Sequence, residues 1–310
     1  MRERIGALAK EIKESYNLLQ NKTKQIKISN SSLVYPVNTT KIDLSVCAVD
    51  GGLLAHRMHG ADIVVVRAVG VNFIYSNSTL KSCSYWPEKN PKSEIFMKSS
   101  LDEHEALVFR SLIRLKEELQ CAISCLEKFS PQVLLMDGSL LPLPSDRPPE
   151  ESELNVVYTE VLTLYTKLYD LSKGNCMLIG VIKDSRSKKL TKEFGLNCSD
   201  GIFCNFLLGE LERTNTMPYS DKERDISVFY VKPSKFDLPL RIETTSTEID
   251  TVASIICSLS AFSENFAYPA VLIEADMCAV MDPKELEPIE DSLNSLSGMK
   301  PLRRNTRPFR

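Results

Sequence analysis

Apolar residues near the start of the chain recur every three or four positions, which is the spacing of one face of an α-helix. The stripe consists of Ile5, Leu8, Ile12, Tyr16 and Leu19, with lysine and glutamate between them. It predicts an N-terminal amphipathic helix whose apolar face is buried, against this chain's own core or against a partner. A polar stretch follows, so residues 1–40 are interpreted as a helix and linker.

From residue 41 onward, short β-branched runs alternate with longer segments of helical periodicity. The predicted strands are residues 44–49, 62–75, 131–137, 176–184, 226–232 and 238–245. The predicted helices are residues 101–128, 154–171, 247–261 and 269–281. The polar segment 77–91 is predicted as a loop. A β-rich start followed by alternating helices and strands predicts an α/β fold, with a mixed sheet flanked by helices over residues 41–290. Residues 291–310 form a basic tail.

Composition and charge exclude several classes of protein. The chain has 310 residues, 43% of them hydrophobic and 25% charged, and its net charge of −3 provides no global basic field for nucleic acid. A polyanion site would therefore be a local patch. No run approaches the roughly 20 apolar residues of a membrane span, and the N-terminus lacks a signal-like apolar core. Nine cysteines without CxxC spacing indicate reduced thiols, so we expect a cytoplasmic protein without membrane contacts.

Two short segments share the order apolar run, aspartate, glycine. They are "VCAVDGG", which contains Asp50, and "VLLMDGS", which contains Asp137. Each aspartate ends a predicted strand, and in open α/β sheets ligands bind beyond the carboxyl ends of the strands. A single Asp-Gly pair is usually a turn. Two such pairs after apolar strands favour one site to which both aspartates contribute.

Two chemistries fit a pair of converging carboxylates. In two-metal phosphodiester hydrolysis, carboxylates hold divalent ions about 4 Å apart, and hard oxygen ligands suit Mn²⁺ or Mg²⁺. In actin-like and sugar-kinase ATPases, glycine-bearing turns bind phosphate instead. That class expects a longer chain and threonine-rich phosphate loops, but "DGGLLA" contains no threonine. The sequence favours metal-dependent hydrolysis and leaves an ATP phosphotransferase as an alternative.

A metal site needs further ligands, and the long helix at 101–128 offers glutamates between the two aspartates in sequence. Glu118 borders the predicted buried stripe, so it is the preferred ligand. Glu117 and Glu105 remain as the second and third choices.

A further strand ends in "VIKDSRSKKL". Lys183 in this segment is placed to neutralise a phosphodiester oxygen. The cations Arg186, Lys188 and Lys189 follow it and form a candidate patch for a nucleic-acid backbone.

The order of these elements resembles the NurA-domain nucleases of archaea and bacteria. The resemblance is carried by "AVDGG", "DIVVVRAVGV", "VLLMDGSLL", "GVIKDSRS", "LRIET" and "YPAVLIEADMCAV", from Leu44 to Val280. It implies an RNase H-like core in a homodimer. It also implies a Mn²⁺-dependent nuclease, with Mg²⁺ as the other candidate ion, that cuts single-stranded DNA and degrades DNA from 5′ ends. A hexameric HerA-type translocase is the implied partner, in the end resection of double-strand breaks for homologous recombination.

The resemblance also implies roles for individual residues. Asp50 and Asp137 match the metal-binding aspartates, and Glu118 matches the helix glutamate between them. Lys183 matches the strand-end lysine that stabilises charge on the scissile phosphate. Tyr268 matches a DNA-contacting tyrosine. Asp276 stands where members commonly have a histidine. An aspartate can ligate Mn²⁺ or orient a water, but it cannot donate a proton near neutral pH as an imidazolium can. A non-catalytic adaptor of the translocase is therefore a further alternative.

Overall fold

The computed structural model describes residues 2–58, 60–219 and 225–297, so the predicted tail beyond residue 297 lies outside the described residues. The strands are β1 (Val34–Pro36), β2 (Ser45–Arg57), β3 (Ala61–Ser76), β4 (Thr79–Trp86), β5 (Glu94–Ser99), β6 (Val133–Asp137), β7 (Met177–Ile182), β8 (Glu212–Thr214), β9 (Met217–Pro218), β10 (Ser227–Lys232) and β11 (Leu240–Thr244). The helices are α1 (Arg2–Ser29), α2 (Glu103–Phe129), α3 (Asn155–Ser172), α4 (Lys189–Glu193), α5 (Asp200–Leu207), α6 (Ile249–Leu259), α7 (Ala270–Ala279) and α8 (Glu287–Ser297). Short 3₁₀ helices lie at Ser31–Leu33, Pro144–Asp146 and Pro283–Leu286.

The chain forms two compact units, and each is assembled from two separate stretches of sequence. The first unit comprises residues 1–42 and 179–270, and the second comprises residues 43–178 and 271–310. None of the described helices is both long and apolar enough to cross a lipid bilayer.

The second unit is built on a mixed sheet in the order β6-β2-β3-β4, in which β5 also pairs with β3. Strand β3 runs antiparallel to both β2 and β4, and β6 pairs with β2 in parallel. Helix α2 makes the crossover between the antiparallel strands and β6, and its predicted stripe, including Leu112, Leu119 and Ala122, is buried. A parallel strand that joins three antiparallel ones after a helical crossover is the RNase H-like pattern that the resemblance implies. The predicted mixed α/β fold is confirmed.

The first unit carries strands in the order β1-β8-β10-β11-β7, with antiparallel pairing along its length. Its core contains Leu190, Phe203, Leu207 and Tyr230, each no more than 1% exposed. Helix α1 is present as predicted, and the Tyr16 ring meets the ring of Phe206 on α5 at 5.5 Å between centroids.

Most of the apolar stripe of α1 stays exposed in the described chain. Ile5, Leu8, Ile12 and Tyr16 remain 47–60% exposed, whereas Leu19 at the end of the stripe is half-buried. The chain's own core therefore buries only part of the predicted stripe, and burial of the rest against a partner stays a prediction.

Segment 77–91, predicted as a loop, contains strand β4. The prediction was wrong because β4 carries polar and small side chains on both faces, and most of its residues are exposed. Such a strand at a sheet margin gains from backbone pairing with β3 rather than from a buried face, so hydrophobic alternation does not reveal it. Strand β2 is also longer than predicted and continues through Asp50 to Arg57.

In the first unit, the Asp200 carboxylate is fully buried and joins three segments. It accepts hydrogen bonds from the backbone N–H of Lys189 and of Thr191 at 3.0 and 2.9 Å, and from the Tyr230 hydroxyl at 3.1 Å. Burial alone would raise its pKa, but hydrogen bonds from Ser187, Thr191 and other donors outweigh burial and lower it.

We expect the substitution Asp200→Asn to destabilise the protein by about 1.5–3 kcal/mol at pH 7, the range for hydrogen bonds to a charged group. A depressed folded-state pKa adds stability above the unfolded value of about 3.9, which is lost as the pH falls through the folded value. The difference between Asp200→Asn and wild type should therefore shrink in acid. Urea denaturation at pH 7 and pH 3 measures this, with the exposed Asp43→Asn as control. An equal deficit at both pH values would contradict the electrostatic account.

Candidate metal centre

The register between β2 and β6 brings Asp50 and Asp137 together. Val49 of β2 is paired with Met136 of β6 in the parallel ladder, and each aspartate is the next residue of its strand. In-register neighbours in a parallel pair point to the same face, so the two side chains leave the sheet side by side. Asp50 is buried and Asp137 is half-buried.

Asp276 completes a group of three carboxylates. One carboxylate oxygen from each of Asp50, Asp137 and Asp276 lies within 4.8 Å of the other two. Asp276 is exposed and belongs to α7, more than 130 residues after Asp137 in sequence. Asp276, which the resemblance places at a position where a histidine is expected, therefore lies in the group itself.

Glu118 reaches the same region from α2. Gly51, the residue after Asp50, leaves the space that its side chain uses: a Cβ at Gly51 would lie 2.7 Å from both Cγ and Oε1 of Glu118. Glu118 is 4% exposed, and its buried Oε1 has no hydrogen-bond partner among the described residues. It is not one of the three carboxylates that lie within 4.8 Å of one another.

The other helix glutamates lie elsewhere on α2. Glu105 forms a capping box with Asp102 at the start of the helix, and it accepts a hydrogen bond from the Ser152 hydroxyl at 2.5 Å. Glu117 is half-buried, with its pKa raised by burial and by Glu94. Of the three candidates, Glu118 is the one that the structure places beside Asp50 and Asp137.

Gly52 sets the distance between β2 and α7. A Cβ there would lie 1.9 Å from the backbone oxygen of Ala279, the last residue of α7. The two glycines after Asp50 thus admit different neighbours, a carboxylate from α2 and the end of α7. Gly138, after Asp137, has open space around the position that a Cβ would take, but it adopts φ +139°, so glycine is needed there for its backbone conformation.

Helix α7 is also held from β4. The Tyr85 hydroxyl donates to Glu274 Oε1 at 2.7 Å, and the Lys89 ammonium lies 3.1 Å from the same oxygen. Burial would raise the Glu274 pKa, but these contacts outweigh it and keep the pKa below its ordinary value. Glu274 therefore stays ionised and anchors the helix that carries Asp276.

Arg114 is a charged residue of this site that the sequence analysis missed. It lies one turn before Glu118 on α2, and its Nε is 3.6 Å from Glu118 Oε1. Burial raises the pKa of Glu118 to about 8; Arg114 opposes this shift, whereas Asp50 and Asp137 add to it. In turn, Glu118 raises the pKa of Arg114. The sequence signal that could have revealed Arg114 was its i, i+4 spacing from Glu118, but this spacing is also common on solvated helix faces.

The remaining predicted residues belong to the first unit. The Lys183 ammonium lies 4.4 Å from the centre of the Tyr268 ring, a cation–π contact. Tyr268 is 2% exposed and its hydroxyl donates to the Val181 carbonyl at 3.4 Å. A ring so buried has almost no surface for a direct DNA contact, and it contacts the Lys183 ammonium instead.

The candidate basic patch is exposed, as a backbone-binding patch requires. Arg186, Lys188 and Lys189 all lie at the surface of the first unit. Lys188 donates to Asn197 Oδ1 at 3.2 Å, and Lys189 donates to the Pro218 carbonyl.

The donor set of the acid group fits a hard divalent cation. The three clustered carboxylates and Glu118 offer oxygen ligands only, which suits Mg²⁺ and Mn²⁺ better than softer metals. The unpartnered, buried Oε1 of Glu118 is the kind of group that a bound cation would satisfy. The residues present therefore fit a metal centre.

Comparisons with known proteins agree with this architecture. A family model described as the NurA domain matches residues 44–281. The NurA nuclease structure from Sulfolobus solfataricus aligns with a TM-score of 0.66 at 16% identity, covering 95% of this chain and 98% of that one. A structure of NurA bound to dAMP and manganese aligns with a TM-score of 0.60 at 12% identity, covering 96% and 97%. No match was found among curated proteins. At such identities the structural likeness shows a shared fold.

We expect Gly52→Ala to push the end of α7 away from β2, because the new methyl group would meet a backbone oxygen that cannot rotate aside. The cost should be about 1–3 kcal/mol, as for other overpacked sites, and Mn²⁺ should stabilise the variant less than wild type. Thermal denaturation with and without Mn²⁺ measures both effects. Gly6→Ala, at a position with nothing within 4 Å, is the control. Unchanged melting and Mn²⁺ response in Gly52→Ala would refute the close-approach argument.

Glu118→Gln should stabilise the protein in the presence of a chelator. The folded-state pKa of Glu118, about 8, exceeds the unfolded value of about 4.3, so wild type loses stability as the pH rises between these values. Glutamine does not titrate, and the advantage of the variant should grow with pH to a few kcal/mol and level off above about pH 8. Denaturant titrations from pH 5 to 9 measure it, with the exposed Glu127→Gln as control. A difference independent of pH would show that Glu118 is not a buried acid.

Proposed function

Because the chain belongs to the NurA-domain family, we propose that it is a metal-dependent deoxyribonuclease that hydrolyses phosphodiester bonds. The observation that carries this proposal is the convergence of Asp50, Asp137 and Asp276 within 4.8 Å, with Glu118 adjacent. Assembling so many carboxylates costs free energy unless a cation is bound, so a cluster of this kind is typical of a functional metal site.

The ion is proposed to be Mn²⁺, with Mg²⁺ as the alternative. Oxygen-only ligands support this choice, and manganese is present in NurA structures that resemble this chain in fold. A divalent ion supplies Lewis-acid stabilisation of the charge that develops on the phosphodiester, and it makes attack by water feasible near neutral pH. Asp50 and Asp137, fixed by the sheet register, are the principal ligands. A two-metal arrangement is the finer form of this proposal.

Asp276 and Glu118 are proposed to act differently from each other. Asp276 is exposed and lies in the carboxylate group, so it would bind the ion directly or orient water by accepting a hydrogen bond. It replaces a histidine that could also donate a proton, so no general acid is assigned to it. Glu118 is enclosed, and its charge is favourable only when a cation is close.

DNA is the proposed substrate, and its backbone is proposed to contact the basic residues of the first unit. Lys183 would supply one phosphate contact, with its ammonium held over the Tyr268 ring. Arg186, Lys188 and Lys189 would supply further contacts that carry no sequence preference. The substrate is therefore expected to be selected by strandedness and ends rather than by base sequence.

The wider setting is proposed from the family resemblance. It comprises a homodimer, single-strand endonuclease and 5′→3′ exonuclease activities, and a HerA-type translocase as partner in DNA end resection. The apolar stripe of α1, exposed in the described chain, is compatible with a protein partner of either kind.

Asp137→Asn should lower Mn²⁺-dependent cleavage of labelled single-stranded DNA at least 100-fold, because it removes a charged ligand without changing side-chain size. Single-turnover gel assays with Mn²⁺ or Mg²⁺ measure this loss, and thermal melting checks the fold. Asp170→Asn, an exposed residue of α3, should retain wild-type activity.

The same assay separates the proposed nuclease from the two alternatives. Equal cleavage by wild type and Asp137→Asn would refute the metal centre. A wild-type protein that never cleaves DNA but binds the translocase would be an adaptor. Turnover of ATP in place of DNA cleavage would indicate a phosphotransferase.

A further inference from the structure

Arg114 is poorly explained as a structural residue of α2. A guanidinium that only supports the fold would make hydrogen bonds to its carboxylate partner, as the largely buried Arg213 does with Asp250 at 2.6 and 2.8 Å. The Arg114 Nε instead lies 3.6 Å from Glu118 Oε1, beyond hydrogen-bond length, and that oxygen has no hydrogen-bond partner among the described residues. The guanidinium and the Glu118 carboxyl group are close, but no hydrogen bond joins them.

The exposure of the two side chains differs strongly. Arg114 is 42% exposed, whereas Glu118 is 6% exposed. The Arg114 side chain therefore keeps contact with solvent beside the enclosed glutamate, so a ligand can reach it from outside.

The surroundings of Arg114 are acidic. The pKa of the Arg114 guanidinium is raised by four carboxyl groups, those of Glu118, Asp50, Asp137 and Asp146. Asp146 is already engaged, because it accepts hydrogen bonds from the Ser111 hydroxyl at 2.7 Å and the Leu143 N–H at 2.6 Å. The other three acids belong to the candidate metal centre. A DNA phosphate approaching this centre would be repelled by the carboxylates unless cations intervene.

We propose that Arg114 is a phosphate-binding residue of this centre, which faces Glu118 when no divalent ion is bound and binds an oxygen of the DNA backbone when one is. This inference rests on the proposed function. A guanidinium suits both partners, because its planar fork matches carboxylate and phosphate alike. When a divalent ion binds Glu118, the attraction between Glu118 and Arg114 becomes weaker. The exposed guanidinium then remains beside the position of the phosphodiester.

Two opposite effects follow for a variant that lacks this charge. Removing Arg114 removes a cation that competes for Glu118, so Mn²⁺ should bind at least as tightly as in wild type. It also removes a phosphate contact, so DNA should bind more weakly. A residue that merely holds Glu118 in position would weaken metal binding and DNA binding together.

The test uses the full chain with Ca²⁺, chosen to occupy the oxygen ligands without supporting cleavage, and fluorescently labelled single-stranded DNA. Arg114→Gln should weaken binding about tenfold and lower the slope of log K against log salt by about 0.7, the value for one phosphate contact on a single strand. Arg114→Lys should keep the slope and bind with intermediate affinity. Lys116→Gln is the matched control, because it removes the same charge from the same helix where Lys116 pairs with Glu160.

Metal binding is read separately, from the Mn²⁺ concentration that gives half-maximal thermal stabilisation. Arg114→Gln should require the same concentration as wild type or less. Loss of Mn²⁺ stabilisation in Arg114→Gln, or equal DNA affinity and salt slope in Arg114→Gln and Lys116→Gln, would overturn the assignment. If wild type itself shows no Mn²⁺ stabilisation and no DNA binding, the proposed function fails first, and the wild-type measurements alone reveal it.

Discussion

The parallel register that pairs Val49 with Met136 is the constraint on which the candidate site depends. It turns two aspartates that are 87 residues apart in sequence into side-by-side ligands, since each follows the paired residue in its own strand. A shift of one residue would send one of the two side chains to the opposite face of the sheet. The apolar residues before each aspartate are almost fully buried, and their burial fixes the register. The hydrophobic core thereby determines the geometry of the polar site.

The site has an electrostatic cost that the fold carries in the absence of a metal ion. Glu118 is enclosed beside Asp50 and Asp137, and its raised pKa expresses the free energy of keeping that charge out of water. The guanidinium of Arg114 offsets part of the cost from 3.6 Å away. Because an ion pair of that length is only partly satisfied, the arrangement remains responsive to a competing cation. The same buried carboxyl group thus lowers the stability of the metal-free protein and raises its affinity for a metal ion.

The sequence allowed the ligand types and much of the sheet to be predicted, since these follow from local patterns. Asp50 and Asp137 stand after apolar runs, and Glu118 borders the buried stripe of α2. Strand β4 and the contact of Arg114 with Glu118 were missed for a related reason. In both cases polar side chains gave no local pattern, and the structure of the surrounding chain decides what they contact. Asp276 was predicted only through the family resemblance, because its position in a helix gives no distance to β2. The approach of Ala279 to Gly52 brings the end of α7 against β2, and the contacts of Glu274 with Tyr85 and Lys89 hold the same helix.

The two Asp-Gly elements have similar sequences, yet their glycines meet different structural requirements. After Asp50, the strand continues, and Gly51 and Gly52 remain in extended pairing with β3. Their missing side chains create space for Glu118 and for the end of α7. After Asp137 the strand ends, and Gly138 supplies a backbone conformation that other residues rarely adopt. An alanine at Gly51 or Gly52 would therefore act on the ligands from other elements, whereas an alanine at Gly138 would act on the path of the chain that carries Asp137 itself. Similar sequence motifs on neighbouring strands can thus serve one site through different physical causes.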